Sequence, residues 1–291
     1  MTVYYVGAGG NDGNSGLTWA LRKLTLNGAE DVPVVAGDIV YVAPGVYREL
    51  LTVDVAGGAG NPITYIGDYR GVYTDGVGGV VRVTGSDDDQ AIVRNNCITA
   101  NTKDYRTFRG FMFDAGASYL ISATTCDNLI IDECYFETGI IGAFALYMSN
   151  ATPNEITVKN CAFIGQGIQF FSGAAVTAVN CSVENNIFSS YYGVYCLSVD
   201  GVVIKNNTFF SCSNIGVRAN ALAALASISV TNCTFYNCTT ALMASVLGEI
   251  VEDYNNLYNN NTPRTNVAVG GNSLAYPILY DSRWFFEAVK G

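Results

Sequence analysis

The chain of 291 residues has no histidine, only 15 Lys and Arg against 25 Asp and Glu, and no uninterrupted apolar run of membrane-spanning length. Without histidine there is no imidazole for general acid–base work, and the nine cysteines lack the partner that a mixed Cys/His metal site needs. A formal charge of −10 with no basic cluster opposes nucleic acid and anionic polysaccharide at long range. The missing apolar run argues against a transmembrane helix despite 49% hydrophobic residues. The opening "MTVYYVGAGG" has no basic start followed by an apolar segment, so no secretory signal is expected.

What the chain does have is a repeat. The stretches "LIIDECYF" (129–136), "ITVKNCAF" (156–163), "CSVENNIF" (181–188), "VVIKNNTF" (202–209) and "ISVTNCTF" (228–235) align without gaps. Weaker copies are "TFRGFMF", ending at Phe113, and "VEDYNNLY", ending at Tyr258. The closing aromatics recur about every 24 residues, the signature of a solenoid. Strand alternation places Ile156 and Val158 inward and Thr157 and Lys159 outward, with the equivalents in each copy following suit. Asn160, Asn185, Asn206, Asn232 and Asn255 then fall at one position, where a residue tolerant of left-handed backbone turns the chain and can form a ladder. Cys134, Cys161 and Cys233 share the inward position two before the aromatic with Asn186, Asn207 and Asn256, and read as small core residues.

A strand, an Asn bend and a second strand closing on a buried aromatic make one turn of an all-β, right-handed, single-stranded parallel β-helix. A leucine-rich repeat lacks support, since neither its Leu consensus nor long helical returns occur. Here the sequence resembles the pectin-lyase-like superfamily, over roughly residues 39 to 260. With "GNDGNSG" and "GDIVYVAPGVYRE" near its start, it is most similar to phage-encoded β-helix proteins. Three regions are expected: an N-terminal strand and capping helix (1–38), the β-helix (39–258) and an irregular C-terminal cap or contact segment (259–291). Ser15 would start the helix, Leu17, Leu21 and Leu24 would share its buried face, and Gly28 would end it. Trp284, Phe285 and Phe286 would cover the last turn or touch another subunit.

The resemblance sets limits on chemistry. The NTD, GHG and RIK motifs of polygalacturonase-like hydrolases are absent, and the only adjacent Asp cluster is "GSDDDQ". Asp87, Asp88 and Asp89 are therefore the candidate Ca²⁺ ligands, and no other cofactor is implied. Along the outward position before the bend, Arg109, Asp132, Lys159, Glu184 and Lys205 alternate in sign, which suits a salt-bridged stripe fixing register better than a proton donor. Arg218, with no acidic neighbour in its turn, is the candidate base of a lyase. Phe170, Phe171, Tyr191, Tyr192 and Tyr195 are candidates for stacking on sugars. The resemblance implies a virion fibre, spike or capsid-surface element, in the virion or outside a cell. Its partners would be its own copies, as a trimer, other virion proteins, or polysaccharide, with no nucleic acid and no membrane. The alternatives are a polysaccharide lyase or glycoside hydrolase, and a non-catalytic sugar-binding module.

Overall fold

A computed structural model describes residues 1–32, 34–139, 144–220 and 227–276. Its strands form three parallel sheets, here sheet A with ten strands and sheets B and C with nine each. Each turn contributes one strand to A, then B, then C, so the chain winds through nine complete turns of a solenoid. The repeat is wider than the sequence suggests. Val3–Val6 already pairs with Ile39–Val42 in sheet A, and Thr262–Thr265 closes sheet C. No helix among the described residues is long and apolar enough to cross a membrane. Trp284, Phe285 and Phe286 lie outside the described residues.

The bend between sheets A and B shows why Asn recurs. Asn160, Asn185, Asn206 and Asn232 have φ between 53° and 57°, the left-handed region that Asn tolerates better than most residues. Immediately after it the interior begins. Phe113, Phe136, Phe163, Phe188, Phe209 and Phe235 are completely buried, and successive rings stack with centroids 4.5 to 5.2 Å apart. That spacing follows the separation of hydrogen-bonded strands, so one ring per turn makes an unbroken column.

Two expectations about the repeat change. The last copy is one residue out of step: Phe235 pairs with Leu257, and Tyr258 points outward. The left-handed residue there is Tyr254, and Asn255 is buried inside. The side-chain ladder also lies one residue past the bend, because only there does the side chain point inward, where backbone groups need partners. Asn186 and Asn207 are both 1% exposed; Asn186 N–H donates to Asn207 Oδ1 at 2.8 Å, and their amides donate to the Val158 and Val183 carbonyls at 3.0 and 2.8 Å. Asn255 continues it, accepting from Cys233 N–H and donating to the Val230 carbonyl, each at 2.8 Å. Elsewhere in the column Cys134, Cys161 and Cys233 stand in for Asn. All nine cysteines are free and buried.

The N-terminal helix is shorter and later than expected, Leu26–Glu30, preceded by a 3-10 turn at Trp19–Leu21. Asp12 accepts from the Leu24 and Thr25 amides, and Thr25, not Ser15, caps the helix. Leu17, Leu21 and Leu24 are left about half exposed, while Leu26 and Ala29 are buried. Gly28 lies inside the helix because Asp12 packs against it: a Cβ there would sit 2.1 Å from Asp12 Oδ1.

The helix delivers Glu30 into the solenoid. Arg106, at an inward position otherwise held by Leu129 or Ile156, is fully buried and ion-paired to Glu30 at 2.5 Å, with the Tyr65 hydroxyl donating to Glu30 at 2.6 Å and the Val55 carbonyl accepting from Arg106. The other end has a counterpart. Glu252, inward and opposite Val230, is paired with Arg264 at 2.7 Å and accepts from Gly270 N–H at 2.8 Å and from the Ser273 hydroxyl.

Candidate functional site

The outward face of sheet C differs from the other two in carrying long, aromatic strands, and the single carboxylate in its described strands, Asp200, is buried. Its middle strands are Tyr119–Thr124, Phe144–Ser149, Ile168–Thr177, Tyr192–Asp200 and Ile215–Asn220. Strand register places Tyr147, Gln169, Tyr195 and Arg218 in one column, one per turn. Beside it runs a second column of Ser149, Phe171, Leu197 and Asn220.

At the upper end Tyr119 stacks on Tyr147 at 4.2 Å, and Phe171 lies 6.1 Å from Tyr147. At the lower end Tyr192 and Tyr195 are 5.4 Å apart, Tyr191 meets Tyr192 edge-on at 5.0 Å, and Phe144 reaches within about 6 Å of both Tyr192 and Tyr195. Arg218 donates to the Tyr192 hydroxyl at 3.1 Å, and its guanidinium lies 4.8 Å from the Tyr195 ring centre. The Asn220 amide donates to the Tyr195 hydroxyl at 3.4 Å. Tyr192 and Tyr195 both reach the surface because the strand turns a corner at Gly193, where a Cβ would lie 2.6 Å from the Phe209 ring.

Of the five aromatics expected to meet sugars, Tyr191, Tyr192 and Tyr195 form one half-buried cluster and Phe171 stands in the neighbouring column. Phe170 faces the core and is completely buried, because its side chain alternates with that of Phe171. Arg218 belongs to the cluster. With its guanidinium held against two rings and a phenol, it is placed to orient them and to donate hydrogen bonds outward. Tyr147, Gln169 and Asn220 were not anticipated. The repeat does not reveal them, since 147, 169, 195 and 218 follow the closing phenylalanines of their turns by 11, 6, 7 and 9 residues.

Asp87, Asp88 and Asp89 do not converge on a common point. Asp89 bridges Arg48 and Arg82 at 2.5 and 2.6 Å, Asp87 pairs with Arg94 at 2.5 Å, and Asp88 accepts from the Gln90 and Ala91 amides. The Arg48 and Arg82 hydrogen bonds hold the Asp89 carboxyl down to about 2. Among the described residues no three His, Cys, Asp or Glu are grouped as a metal site. Each of the three carboxylates is met by a cation or by backbone amides.

The stripe on sheet A has the expected register, with Asp132 opposite Arg109 and Lys159, and Glu184 opposite Lys205. Its closest pair is Lys205 with Glu184 at 3.3 Å; Lys159 and Arg109 each stand 3.9 Å from Asp132. Arg109 makes its short contacts to Glu133 instead, at 2.8 and 3.0 Å, and keeps that carboxyl below its ordinary range. A further carboxylate pair escaped the sequence reading. Asp114 and Glu137 follow the closing Phe on adjacent turns and are Cα partners on the outward face of sheet B, Asp114 bound by Arg82 at 2.7 Å.

A model of the right-handed β-helix region matches residues 79–262. No curated protein matches the chain. Among solved structures, the chain is similar to a complex of XylC with xylose (15% identity, TM-score 0.68) and to the GH136 lacto-N-biosidase from Eubacterium ramulus (11%, 0.62). In each case 94% of this chain is covered and it spans 66% of the other's length. It is also similar to a rhamnogalacturonan lyase at 16% identity and TM-score 0.64, over 95% of this chain and 87% of that one. These likenesses concern the fold, which is shared with polysaccharide lyases and hydrolases. The chain belongs to the right-handed β-helix region family.

Proposed function

We propose that the protein is a rigid glycan-contacting element that binds uncharged polysaccharide along the outward face of sheet C, as a spike, fibre or surface component of a virion would. The observation that carries this reading is the Tyr192–Tyr195–Arg218 cluster. Two half-buried rings stack beside a guanidinium, with Gln169 and Asn220 adjacent to supply hydrogen bonds, in a sheet whose one described carboxylate, Asp200, is buried. Sugar rings present apolar C–H faces to aromatic rings and hydroxyls to amides, so this mixture fits them. A chain lying along the solenoid axis would meet a new turn about every 4.8 Å. A glycan array is the test, combined with native mass and product analysis. The expected result is binding of neutral glycans without cleavage, by a trimer or larger assembly, weakened roughly tenfold or more in Tyr195→Ala. A monomer that cleaves the glycan it binds would overturn it.

A second reading, a glycoside hydrolase, is favoured by Asp114 and Glu137. Equivalent positions on adjacent turns bring two carboxylates into the range used for glycoside hydrolysis, roughly 5 to 10 Å. Arg82 holds Asp114 at 2.7 Å, while the exposed Glu137 accepts from the Tyr135 hydroxyl at 3.3 Å and is the member of the pair chosen for the test. Sugar release that is lost in Glu137→Gln, with the fold intact, would support this reading; inactivity across the panel would remove it.

A further inference from the structure

The strand Ile168–Thr177 breaks register in a way that the interior does not require. It pairs Phe171 with Leu197 and then Val176 with Val199, so five steps on one strand oppose two on the other. Opposite the break, Ser198 adopts φ +60°, a conformation uncommon outside glycine and asparagine. The surplus residues bury little, and Gly173 and Ala174 are exposed. What they do is wall a hollow of about 370 Å³, the size of a small-ligand site, at the edge of sheet C. Bulges that re-aim a strand in this way are over-represented next to binding and active sites.

The lining is uncharged. Thr124 and Ser149, Cα partners on adjacent turns, present hydroxyls that make no hydrogen bond among the described residues, and Ala151, Ala174 and Val176 supply apolar surface. Ser149 in turn pairs with Phe171, so the hollow opens beside the aromatic columns of the proposed glycan face. A ligand group filling it needs a small apolar end, one donor and one acceptor. The acetamido group of an N-acetylhexosamine has all three: its methyl can rest on the alanines and valine, while a hydroxyl can accept from its N–H and another donate to its carbonyl.

We infer that this hollow is a subsite for an N-acetylated sugar residue within a neutral glycan, an inference that rests on the reading of sheet C as the glycan face. The test is calorimetric titration of the full chain with pairs of neutral oligosaccharides that differ only in hexose against N-acetylhexosamine. It is repeated with Ala174→Trp, which fills the hollow, with Ser149→Ala, which strips a hydroxyl, and with Tyr195→Ala. Unchanged melting temperatures establish that the variants fold. The wild type is expected to prefer the N-acetylated member about tenfold, the scale of one well-placed polar contact. Ala174→Trp should abolish that preference, and Ser149→Ala should reduce it. Equal affinities in the wild type, with both lost in Tyr195→Ala, would overturn the subsite and leave the face standing, as would a preference that survives Ala174→Trp. Binding of no pair would overturn the face and the hollow with it.

Discussion

In the third turn and in the last, a guanidinium and a carboxylate occupy inward space, Arg106 with Glu30 from the N-terminal helix and Glu252 with Arg264. In the middle turns the Arg106 column holds Leu129, Ile156, Val202 and Ile228 and the Glu252 column holds Ile131, Val158, Ile204 and Val230, with one phenylalanine per turn beside them. An interior turn is covered above and below by its neighbours and can be wholly apolar. A terminal turn has strand edges and chain reversals that leave polar groups without a neighbouring strand, and an unsatisfied edge invites further pairing. A buried ion pair satisfies such groups at several points: Glu30 alone accepts from Arg106, Tyr65, Asp54 N–H and Val55 N–H. Plain interiors in the middle leave the outward faces free to differ, which is where the candidate sites lie.

The middle should be broken most severely by alkali. Burial pushes the thiols of Cys97, Cys126 and Cys233 up to about 12 and that of Cys181 up to about 11. An unfolded thiol ionises near 8.5, so between about pH 8.5 and 11 the unfolded state releases protons that the folded state retains. Stability is therefore fully present below about pH 8.5 and lost as the pH rises, which urea midpoints across that range would measure. A flat profile to pH 11 would contradict the buried-thiol interior.

Next in size are the end seals. Glu30→Ala leaves Arg106 buried without its partner, and a loss of about 3–5 kcal/mol in denaturant unfolding is expected. Combining it with Arg106→Met should cost less than the sum of the two single changes, since each already removes the shared contact. In the middle turns, Asn207→Ala removes the partners of the Asn186 N–H and the Val183 carbonyl, for about 1–3 kcal/mol. The outward stripe is the weakest element. Lys205→Ala should cost about 0–1 kcal/mol, because both members of its pair with Glu184 are partly exposed.

Much of the middle could be read from the sequence because its alternation is strict: Ile156, Val158 and Phe163 point inward in every equivalent, and Asn160 marks the bend. The ends were illegible for the same reason. Arg106 and Glu252 stand where the pattern demands an apolar residue, so "TFRGFMF" appears to begin at Thr107 and "VEDYNNLY" slips by one residue to keep an aromatic last. The capping helix misled through Leu17, Leu21 and Leu24, whose helical spacing was outweighed by the hydrogen bonds of Asp12 and Thr25. Sheet C was the hardest to see. The loops before it vary in length, so Tyr147, Gln169 and Arg218 do not align until the register of the third strand is known, whereas Asp114 and Glu137, each next to an aligned closing phenylalanine, were legible in the repeat.

If the outward face of sheet C, rather than the charged face of sheet B, receives the ligand as proposed, binding must slow amide exchange there. Hydrogen–deuterium exchange with and without a glycan that binds the protein tests it most directly. Protection is predicted within residues 144–149, 168–177, 192–200 and 215–220, without loss of intact glycan. Protection centred on residues 82–94, 112–114 and 135–137, accompanied by release of shorter sugars, would contradict it.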